Sequence, residues 1–324
     1  MAGEGKKVFV ALSGGVDSST AAALLLERGF DCTGVFMITC DYAQYAQADA
    51  EEAAKKLGIK LHLLDLRKDF EQVLDYFYAE YKRGRTPNPC VFCNKYIKFR
   101  KLLKFAQSSG ADFFATGHYA KILEHNNRTG LYAAASGTKD QSYALSMIDR
   151  DVLSYIILPM GDYSKEQVRE MATKFGLGAE QGKESQEICF IPDDDYVAAL
   201  EQRFPELVRN GRIIDSSGNV LGEHNGVHRF TIGERRGLRV AMGKPYYVVK
   251  IDAESNTITL GQKDELMQKK LTATGVNWLI DKPALPFRAD VKIRYNDGGT
   301  SATVSPQEDG VIVEFDEPVS AITP

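Results

Sequence analysis

Two sets of residues in this sequence are of types that could do chemistry. The string SGGVDSS at 13–19 joins an apolar, strand-like run to an apolar, helix-like run, and Cys90, Cys93 and Cys189 lie further along the chain. A glycine-rich turn between a strand and a helix lets backbone N–H groups approach an anion, and the helix N-terminus adds positive partial charge. The string therefore predicts a phosphate-binding loop, with Asp17 suited to a Mg²⁺ that bridges it to the phosphate.

The loop is not of the Walker type, because it has no lysine at the expected place. Its hydroxyl donors are instead Ser13, Ser18 and Ser19. A tight turn followed by a Ser or Asp helix cap is the structural alternative, and SGG alone would favour it. The full seven-residue string between a strand and a helix favours phosphate.

The predicted secondary structure differs between the first and last parts of the chain. From Lys7 to about Gly117, β-rich runs alternate with helical ones, which predicts an α/β doubly wound parallel sheet with ligands beyond the carboxyl ends of its strands. SGGVDSS and TGHY both follow such strands. Beyond Gly211, short strands with turn signals predict two small β-rich domains. The predicted domains are a catalytic domain at 1–200, a central β-rich domain at 201–265 and a barrel-like domain at 266–324.

Composition limits the class of protein. The chain has 324 residues, 40 basic against 44 acidic side chains, a net charge of −4 and five cysteines. No apolar stretch reaches the roughly 20 residues of a membrane span, and no targeting segment is evident. We expect a cytoplasmic protein whose cysteines serve as core, catalytic or metal-binding residues. Cys32, in a β-rich run, is expected to be core.

Several strings resemble a known family. SGGVDSS is similar to the PP-loop of ATP pyrophosphatases, which form adenylates and release pyrophosphate. The resemblance narrows to the tRNA-specific 2-thiouridylases, over essentially the whole chain, through further strings: GVFM, AEYKRGRTPNPCVFCNKYIKF, ATGHYA, KDQSYAL, ICFI, GEHNGVH and FDEPVSAITP. The implied fold is a PP-loop domain of the adenine nucleotide hydrolase type followed by two β-rich domains.

The resemblance implies roles for individual residues. The implied ATP contacts are Ala11, Leu12, Ser13, Gly14, Gly15, Val16, Asp17, Ser18, Met37 and Gly117. Cys93 matches the nucleophile and Cys189 the persulfide carrier, and Cys90 joins them as a catalytic candidate. The implied tRNA contacts are Asn88, Pro89, Cys90, His118, Lys139, Asp140, Gln141, Arg294 and Tyr295. The implied reaction replaces O2 of the wobble uridine with sulfur supplied by sulfide or a sulfur-relay protein.

The chain departs from the family pattern in two places. Cys90 stands where the family commonly has an aspartate near the target uridine. The sequence also stops at SAITP, so the last domain is expected to lack its final strands. Cys90 and Cys93 precede a segment whose apolar residues fit a 3.6-residue period, which predicts a helix. Its N-terminus should favour their thiolates.

Cys90 raises the prospect of a metal. With Cys93 and Cys189 it makes three thiols, more than a persulfide relay requires. A [4Fe-4S] cluster normally takes four cysteines, so one held by three would leave an iron open to sulfide. The sequence favours this cluster and leaves open a persulfide relay with an incidental third cysteine.

Two further readings of the chain stay open. A PP-loop ligase or amidotransferase acting on a small molecule would share SGGVDSS but would not need the three cysteines. A non-catalytic tRNA-binding or metal-sensing module would not need the ATP loop. Basic residues around Cys90 and Cys93 predict either a tRNA-facing patch or a solvated helix face; they are Lys82, Arg83, Arg85, Lys95, Lys98, Arg100, Lys101 and Lys104.

Overall fold

A computed structural model describes residues 3–40, 44–177, 188–191, 195–238, 240 and 243–324, with the backbone alone at 44 and 138. The chain forms two compact units. The first contains Met1–Val73, Cys90–Phe190 and Asn277–Ile280, and the second contains Leu74–Pro89, Ile191–Val276 and Asp281–Pro324. Among the described helices, none is long and apolar enough to cross a membrane.

The first unit is built on a five-stranded parallel sheet. The strands of this sheet are β1 (Lys7–Ala11), β2 (Asp31–Ile38), β3 (Lys60–Asp65), β4 (Phe113–Ala115) and β7 (Ile156–Ile157). The unit also contains a separate two-stranded hairpin of β5 (Ala120–His125) and β6 (Arg128–Ala133). The order in the sheet is β3-β2-β1-β4-β7, and every neighbouring pair is parallel. The predicted doubly wound parallel sheet is confirmed.

Helices follow most of these strands. They are α1 (Val16–Glu27), α2 (Gln44–Leu57), α3 (Arg67–Lys82), α4 (Pro89–Cys93), α5 (Leu103–Ser108) and α6 (Lys165–Lys174). A π-helix over Asn94–Leu102 joins α4 to α5. Alternate residues of β1 fall in different apolar clusters, Phe9 with α5 and Val8 with α1, so both faces of the sheet are buried.

The order of the strands creates a switch point. From β1 the chain crosses to β2 on one side, and later it returns to β4 on the other side. Crossovers that leave in opposite directions open a crevice at the carboxyl ends of the two strands. The segments that follow β1 and β4 are SGGVDSS and TGHY, so the fold brings these two strings to one place.

In its described residues, the second unit contains one α-helix of its own and two four-stranded sheets. The helix is α7 (Tyr196–Arg203), and the strands are β8 (Gly211–Asp215), β9 (Val220–His224), β10 (Tyr247–Asp252), β11 (Thr257–Gly261), β12 (Met267–Thr274), β13 (Phe287–Val291), β14 (Thr300–Gln307) and β15 (Gly310–Ser320). The sheet orders are β10-β11-β8-β9 and β12-β15-β14-β13. The prediction of β-rich modules after the parallel sheet is confirmed, while the boundaries at 200/201 and 265/266 stay predictions.

Side chains cap the N-termini of two helices, and a third helix changes type along its length. Ser164 and Gln167 form a capping box at the start of α6, and Asp195 caps α7 by accepting from the Ala198 N–H. A helix follows the cysteines as predicted, but its middle is a π-helix rather than an α-helix. Phe99, Leu103 and Ala106, which share one face at a 3.6-residue period, are buried, and the π-helix buries Ile97 and Leu102 as well.

Candidate active site

The loop after β1 needs its first glycine. Gly14 has φ of 80°, and a Cβ there would come within 2.5 Å of the Ala46 carbonyl oxygen. A side chain at this position would therefore be strained and would clash with the start of α2. The tight path of the loop brings the backbone of Gly15 directly to the N-terminus of α1.

The serines of the loop bond to the loop itself. Ser18 and Ser19 donate their hydroxyls to the Gly15 carbonyl at 2.9 and 3.1 Å, and Ser18 Oγ accepts from the Ser13 N–H at 3.1 Å. Gly15, at the N-cap, has no side chain to offer the first N–H groups of α1. These hydroxyls therefore stabilise the loop, and the helix N-terminus is the part of it that suits an anion.

Asp17 has a partner that the sequence analysis missed. The Lys165 ammonium lies 2.7 and 2.8 Å from the two carboxylate oxygens of Asp17, and the Tyr119 hydroxyl donates to Oδ1 at 2.8 Å. The two charged residues are 148 positions apart, so no local pattern links them. One signal was available: Lys165 is the first residue of a capped helix, where the dipole disfavours a cation.

Gly117 closes the crevice from the other side. A Cβ on Gly117 would lie 2.8 Å from the Ser18 nitrogen and 2.9 Å from the Asp17 carbonyl carbon. The segment after β4 therefore packs backbone to backbone against the first turn of α1. Met37, near the end of β2, is half-buried. The structure thus brings Gly117 against the loop at the sheet's carboxyl edge.

Burial acts against the predicted thiolates. Cys93 is buried, and desolvation raises the pKa of its thiol above the usual range. Cys189 is exposed at its surface, yet desolvation by the protein around its thiol raises the pKa to about 12. The predicted lowering of the pKa by a helix N-terminus is wrong for Cys93, because this thiol is buried at the end of α4, where the chain continues directly into the π-helix.

Lys98 is the cation that opposes this effect. Its charge lowers the pKa of both Cys93 and Cys189, and it further lowers the pKa of His118, which burial already holds well below 6.5. Lys98 is half-buried in the π-helix. It therefore belongs to the thiol site rather than to an outward basic patch, and His118 is neutral at pH 7.

The thiols do not form a metal site in the structure. Cys189 is close enough to Cys93, Cys90 and Cys40 for their charges to raise its pKa. Nevertheless, in the part of the chain that the structure describes, no group of three or more His, Cys, Asp or Glu side chains is arranged to hold a metal ion. The residues present do not fit a [4Fe-4S] cluster in this arrangement, and the predicted cluster is not confirmed.

The predicted tRNA contacts near 140 face inward. Asp140 is buried and accepts from the Ala134 and Ser142 N–H groups at 3.0 and 3.2 Å. Gln141 Oε1 accepts from the Tyr119 N–H at 2.9 Å, and the Gln141 N–H donates back to the Tyr119 carbonyl at 2.7 Å. Lys139 is half-buried. In the structure, Asp140 and Gln141 fix the backbone that carries Tyr119.

Asn94 is a second residue that the sequence analysis missed. It is buried directly after Cys93, and its amide donates to the Ala144 carbonyl at 2.9 Å. This bond ties the cysteine helix to the segment that follows Gln141. The amide oxygen of Asn94 is buried with no hydrogen-bond partner.

The remaining predicted tRNA contacts belong to the second unit. Arg294 donates to the carbonyls of Ile232 and Ala321 at 2.7 and 2.8 Å, so its guanidinium anchors the C-terminal segment. Tyr295 is exposed. Asn88 is half-buried and Pro89 is buried.

Four of the eight basic residues near the cysteines form ion pairs with carboxylates. In the first unit, Arg100 pairs with Asp149 at 3.1 Å and Lys101 with Asp69 at 2.7 Å. In the second unit, Glu80 holds both Arg83 and Arg85. Exposed pairs of this kind are weak and do not prevent contact with phosphate. Cys32, as predicted, is a core residue, and burial raises the pKa of its thiol to about 12.

Comparison with known proteins decides the family. Three family models match consecutive parts of the chain: the tRNA methyl transferase HUP domain over 6–193, the tRNA methyl transferase PRC-barrel domain over 198–262 and the aminomethyltransferase beta-barrel domain over 268–324. The tRNA-specific 2-thiouridylase MnmA of Carboxydothermus hydrogenoformans is 46% identical over 98% of this chain and 92% of its own length. The chain belongs to the tRNA-specific 2-thiouridylase family.

Other relatives extend the comparison. The 2-thiouridylase MnmA of Acetivibrio thermocellus is 43% identical over 98% of this chain and 94% of its own length. Among solved structures, the U34-tRNA thiolase NcsA from Methanococcus maripaludis with its [4Fe-4S] cluster is 16% identical, with a TM-score of 0.40, over 64% of this chain and 67% of that one. The resemblance to the 2-thiouridylases stated above is thus confirmed at the level of the family.

The raised pKa of Cys189 predicts slow alkylation. The pKa of Cys189 is about 12, so at lower pH its thiolate fraction should rise about tenfold per pH unit. The rate of its alkylation by iodoacetamide should rise in the same proportion. Lys98→Met should slow the reaction further at pH 8 to 9, because it removes the charge that favours the thiolate. Peptide mass spectrometry measures the rate at each cysteine.

Lys101→Met is the matched control, because Lys101 pairs with Asp69. It should leave the Cys189 rate unchanged. A Cys189 rate that reaches its plateau below pH 9, or that ignores Lys98→Met, would contradict this description of the thiol site.

Proposed function

We propose that this protein transfers sulfur to position 2 of the wobble uridine of tRNA, with ATP consumed and AMP and pyrophosphate released. One observation carries the proposal: the glycine loop with Asp17 meets Gly117 at the switch point of a parallel sheet. It does so in a chain that is 46% identical over nearly its whole length to a protein named as a tRNA-specific 2-thiouridylase. Because its substrate is tRNA, we expect the reaction in the cytoplasm.

The nucleotide site in this proposal lies at the N-terminus of α1. The N–H groups of 14–18 bind the phosphates, and Gly117 and Met37 complete the site with Ala11 and Leu12. Close approach of the Gly117 backbone to the first turn supports this placement. Mg²⁺, when bound, would be held by Asp17 and would neutralise phosphate charge during transfer.

Adenylation solves a leaving-group problem. Uridine O2 is a poor leaving group, so its attack on the α-phosphate of ATP converts it into part of AMP and expels pyrophosphate. A sulfur nucleophile then adds at C2, and AMP departs with the former O2. The loop must therefore bring the α-phosphate to the base.

The sulfur step uses Cys189 and Cys93. A donor leaves a persulfide on Cys189, the terminal sulfur attacks C2, and Cys93 attacks the inner sulfur as the S–S bond breaks. The product is 2-thiouridine, AMP and a Cys93–Cys189 disulfide, which a thiol reductant must reduce before the next turnover. Electrostatic coupling of both thiols to each other and to Lys98 supports this pairing.

This proposal keeps the predicted tRNA contacts, taken separately within each unit. Cys90, His118 and Lys139 contribute from the first unit, with Gln141 and Asp140 shaping the same segment. Asn88, Pro89, Arg294 and Tyr295 contribute from the second. The neutral His118 ring suits a hydrogen bond to a base rather than an ion pair with phosphate.

The first test is direct. Protein, tRNA, ATP, Mg²⁺ and a sulfide or persulfide donor are combined, and digested tRNA is analysed for 2-thiouridine by mass spectrometry. Asp17→Asn should reduce the rate by at least about 100-fold through loss of the charge that balances Mg²⁺. Asp162→Asn is the control, because Asp162 is an exposed carboxylate that pairs with Lys121.

Two outcomes would overturn the proposal. Thiolation by Asp17→Asn at the parent rate would remove the loop from the reaction. Pyrophosphate released from ATP at the same rate without tRNA, with no 2-thiouridine formed, would point instead to a ligase acting on a small molecule.

The cluster prediction has its own test. The described thiols do not form a ligand set, so we expect anaerobically reconstituted protein to thiolate tRNA without bound iron, and Cys90→Ala to retain most activity. Cys93→Ser and Cys189→Ser should each abolish it. Iron quantification, absorbance and thiolation are measured on all three variants.

Stoichiometric iron that disappears together with activity in Cys90→Ala would establish the cluster instead. In that case Cys90, Cys93 and Cys189 would ligate it, and the persulfide pathway would be wrong.

A further inference from the structure

Asp17 is fully engaged by side chains of its own protein. Lys165 bridges both carboxylate oxygens, and Tyr119 adds a third bond to Oδ1. The side chain of Lys165 is 11% exposed and that of Asp17 is 33% exposed. A charge pair with so little access to water is worth more than a surface pair, and removal of one partner leaves the other desolvated.

The N-terminus of α6 is an unfavourable place for an unpaired Lys165 ammonium group. It is the first residue of α6, while Asp17 lies in the first turn of α1. The N-terminus of a helix carries positive partial charge, so a cation there is disfavoured. Asp17 offsets this cost for Lys165. Two helix N-termini and an ammonium group together make the surroundings of Asp17 suitable for more than one negative charge.

The packing holds this geometry in place. Apolar residues of α1 and α6 share one buried cluster, which includes Ala21, Leu24 and Val168. Tyr119 belongs to the same cluster, and two hydrogen bonds between its backbone and Gln141 fix its position. Lys165 is therefore delivered to the loop by a rigid helix and not by a mobile surface segment.

We propose that Lys165 is a phosphate-binding residue of the nucleotide site, and that Asp17 holds it there until Mg²⁺ and ATP arrive together. The proposal rests on the ATP-dependent function above. On binding, Lys165 passes from Asp17 to a phosphate oxygen, and Asp17 passes to Mg²⁺. Tyr119 keeps the carboxylate oriented during this exchange.

Charge balance makes the exchange cooperative. ATP without Mg²⁺ would take Lys165 and leave the Asp17 carboxylate unneutralised beside the phosphates. Mg²⁺ without ATP would take Asp17 and leave the Lys165 ammonium at two helix N-termini. Only the two ligands together give every charge a partner, so each should raise the protein's affinity for the other.

The test measures nucleotide affinity rather than turnover. Isothermal titration calorimetry with the non-hydrolysable analogue α,β-methylene-ATP, with and without Mg²⁺, compares the parent protein with Lys165→Met, Asp17→Asn and the double variant. The parent should bind at least about tenfold more tightly with Mg²⁺. Lys165→Met should weaken binding of the Mg²⁺ complex at least about tenfold. Asp17→Asn should bind the Mg²⁺-free analogue more tightly than the parent and lose the Mg²⁺ effect.

Controls separate folding from binding. Lys121→Met removes a lysine that is also ion-paired, with Asp162 at 2.6 Å, and should leave affinity unchanged. Trp278, the only tryptophan of the chain, belongs to the first unit, so its fluorescence reports whether each variant is folded. Lys165→Met could unfold because it leaves Asp17 unpaired. The double variant of Lys165→Met and Asp17→Asn removes both charges, so it has no unpaired charge at this place. It should still lose the increase in nucleotide affinity that Mg²⁺ gives the parent.

Parent affinity in Lys165→Met, or Mg²⁺-free binding by Asp17→Asn no tighter than the parent's, would overturn the exchange while leaving thiolation intact. A parent protein that binds no nucleotide under any condition would overturn the proposed function itself.

Discussion

The loop carboxylate of Asp17 is the constraint on which the site depends. It follows the first strand of the sheet, starts the first helix and is bonded by Lys165 and Tyr119 from two later elements. Each neighbour is fixed in turn: Tyr119 by Gln141 and by the α1–α6 cluster, and Gly117 by the near contact of its backbone with α1. The order of the parallel strands brings these distant segments to one edge.

The reactivity of the cysteines in the site depends on the pKa values of their thiols. Desolvation raises the pKa of the Cys93 and Cys189 thiols above their usual range, and Lys98 is the charge that favours their ionised forms. A thiol kept protonated reacts slowly with oxidants and alkylating agents, because the thiolate is the reactive species. In the proposed mechanism the donor delivers its sulfur to Cys189, which is exposed.

The sequence was informative where the signal was periodic or local. The alternating pattern predicted the parallel sheet, and SGGVDSS predicted a glycine-rich turn between a strand and a helix. It could not predict the π-helix, because a helix with hydrogen bonds five residues apart uses the same residue types as one with bonds four residues apart. The Asp17–Lys165 pair joins residues 148 positions apart, and the raised pKa of Cys189 comes from tertiary burial. Both depend on packing that no single string encodes.

The central claim is that the oxygen lost from uridine leaves on AMP. The most direct measurement uses tRNA that carries ¹⁸O at O2 of the target uridine, with mass spectrometry of the nucleotide products after one turnover. Activation by adenylation predicts that the label appears in AMP and that the pyrophosphate is unlabelled. Label in inorganic phosphate with formation of ADP, or label released to water with unlabelled AMP, would contradict this account.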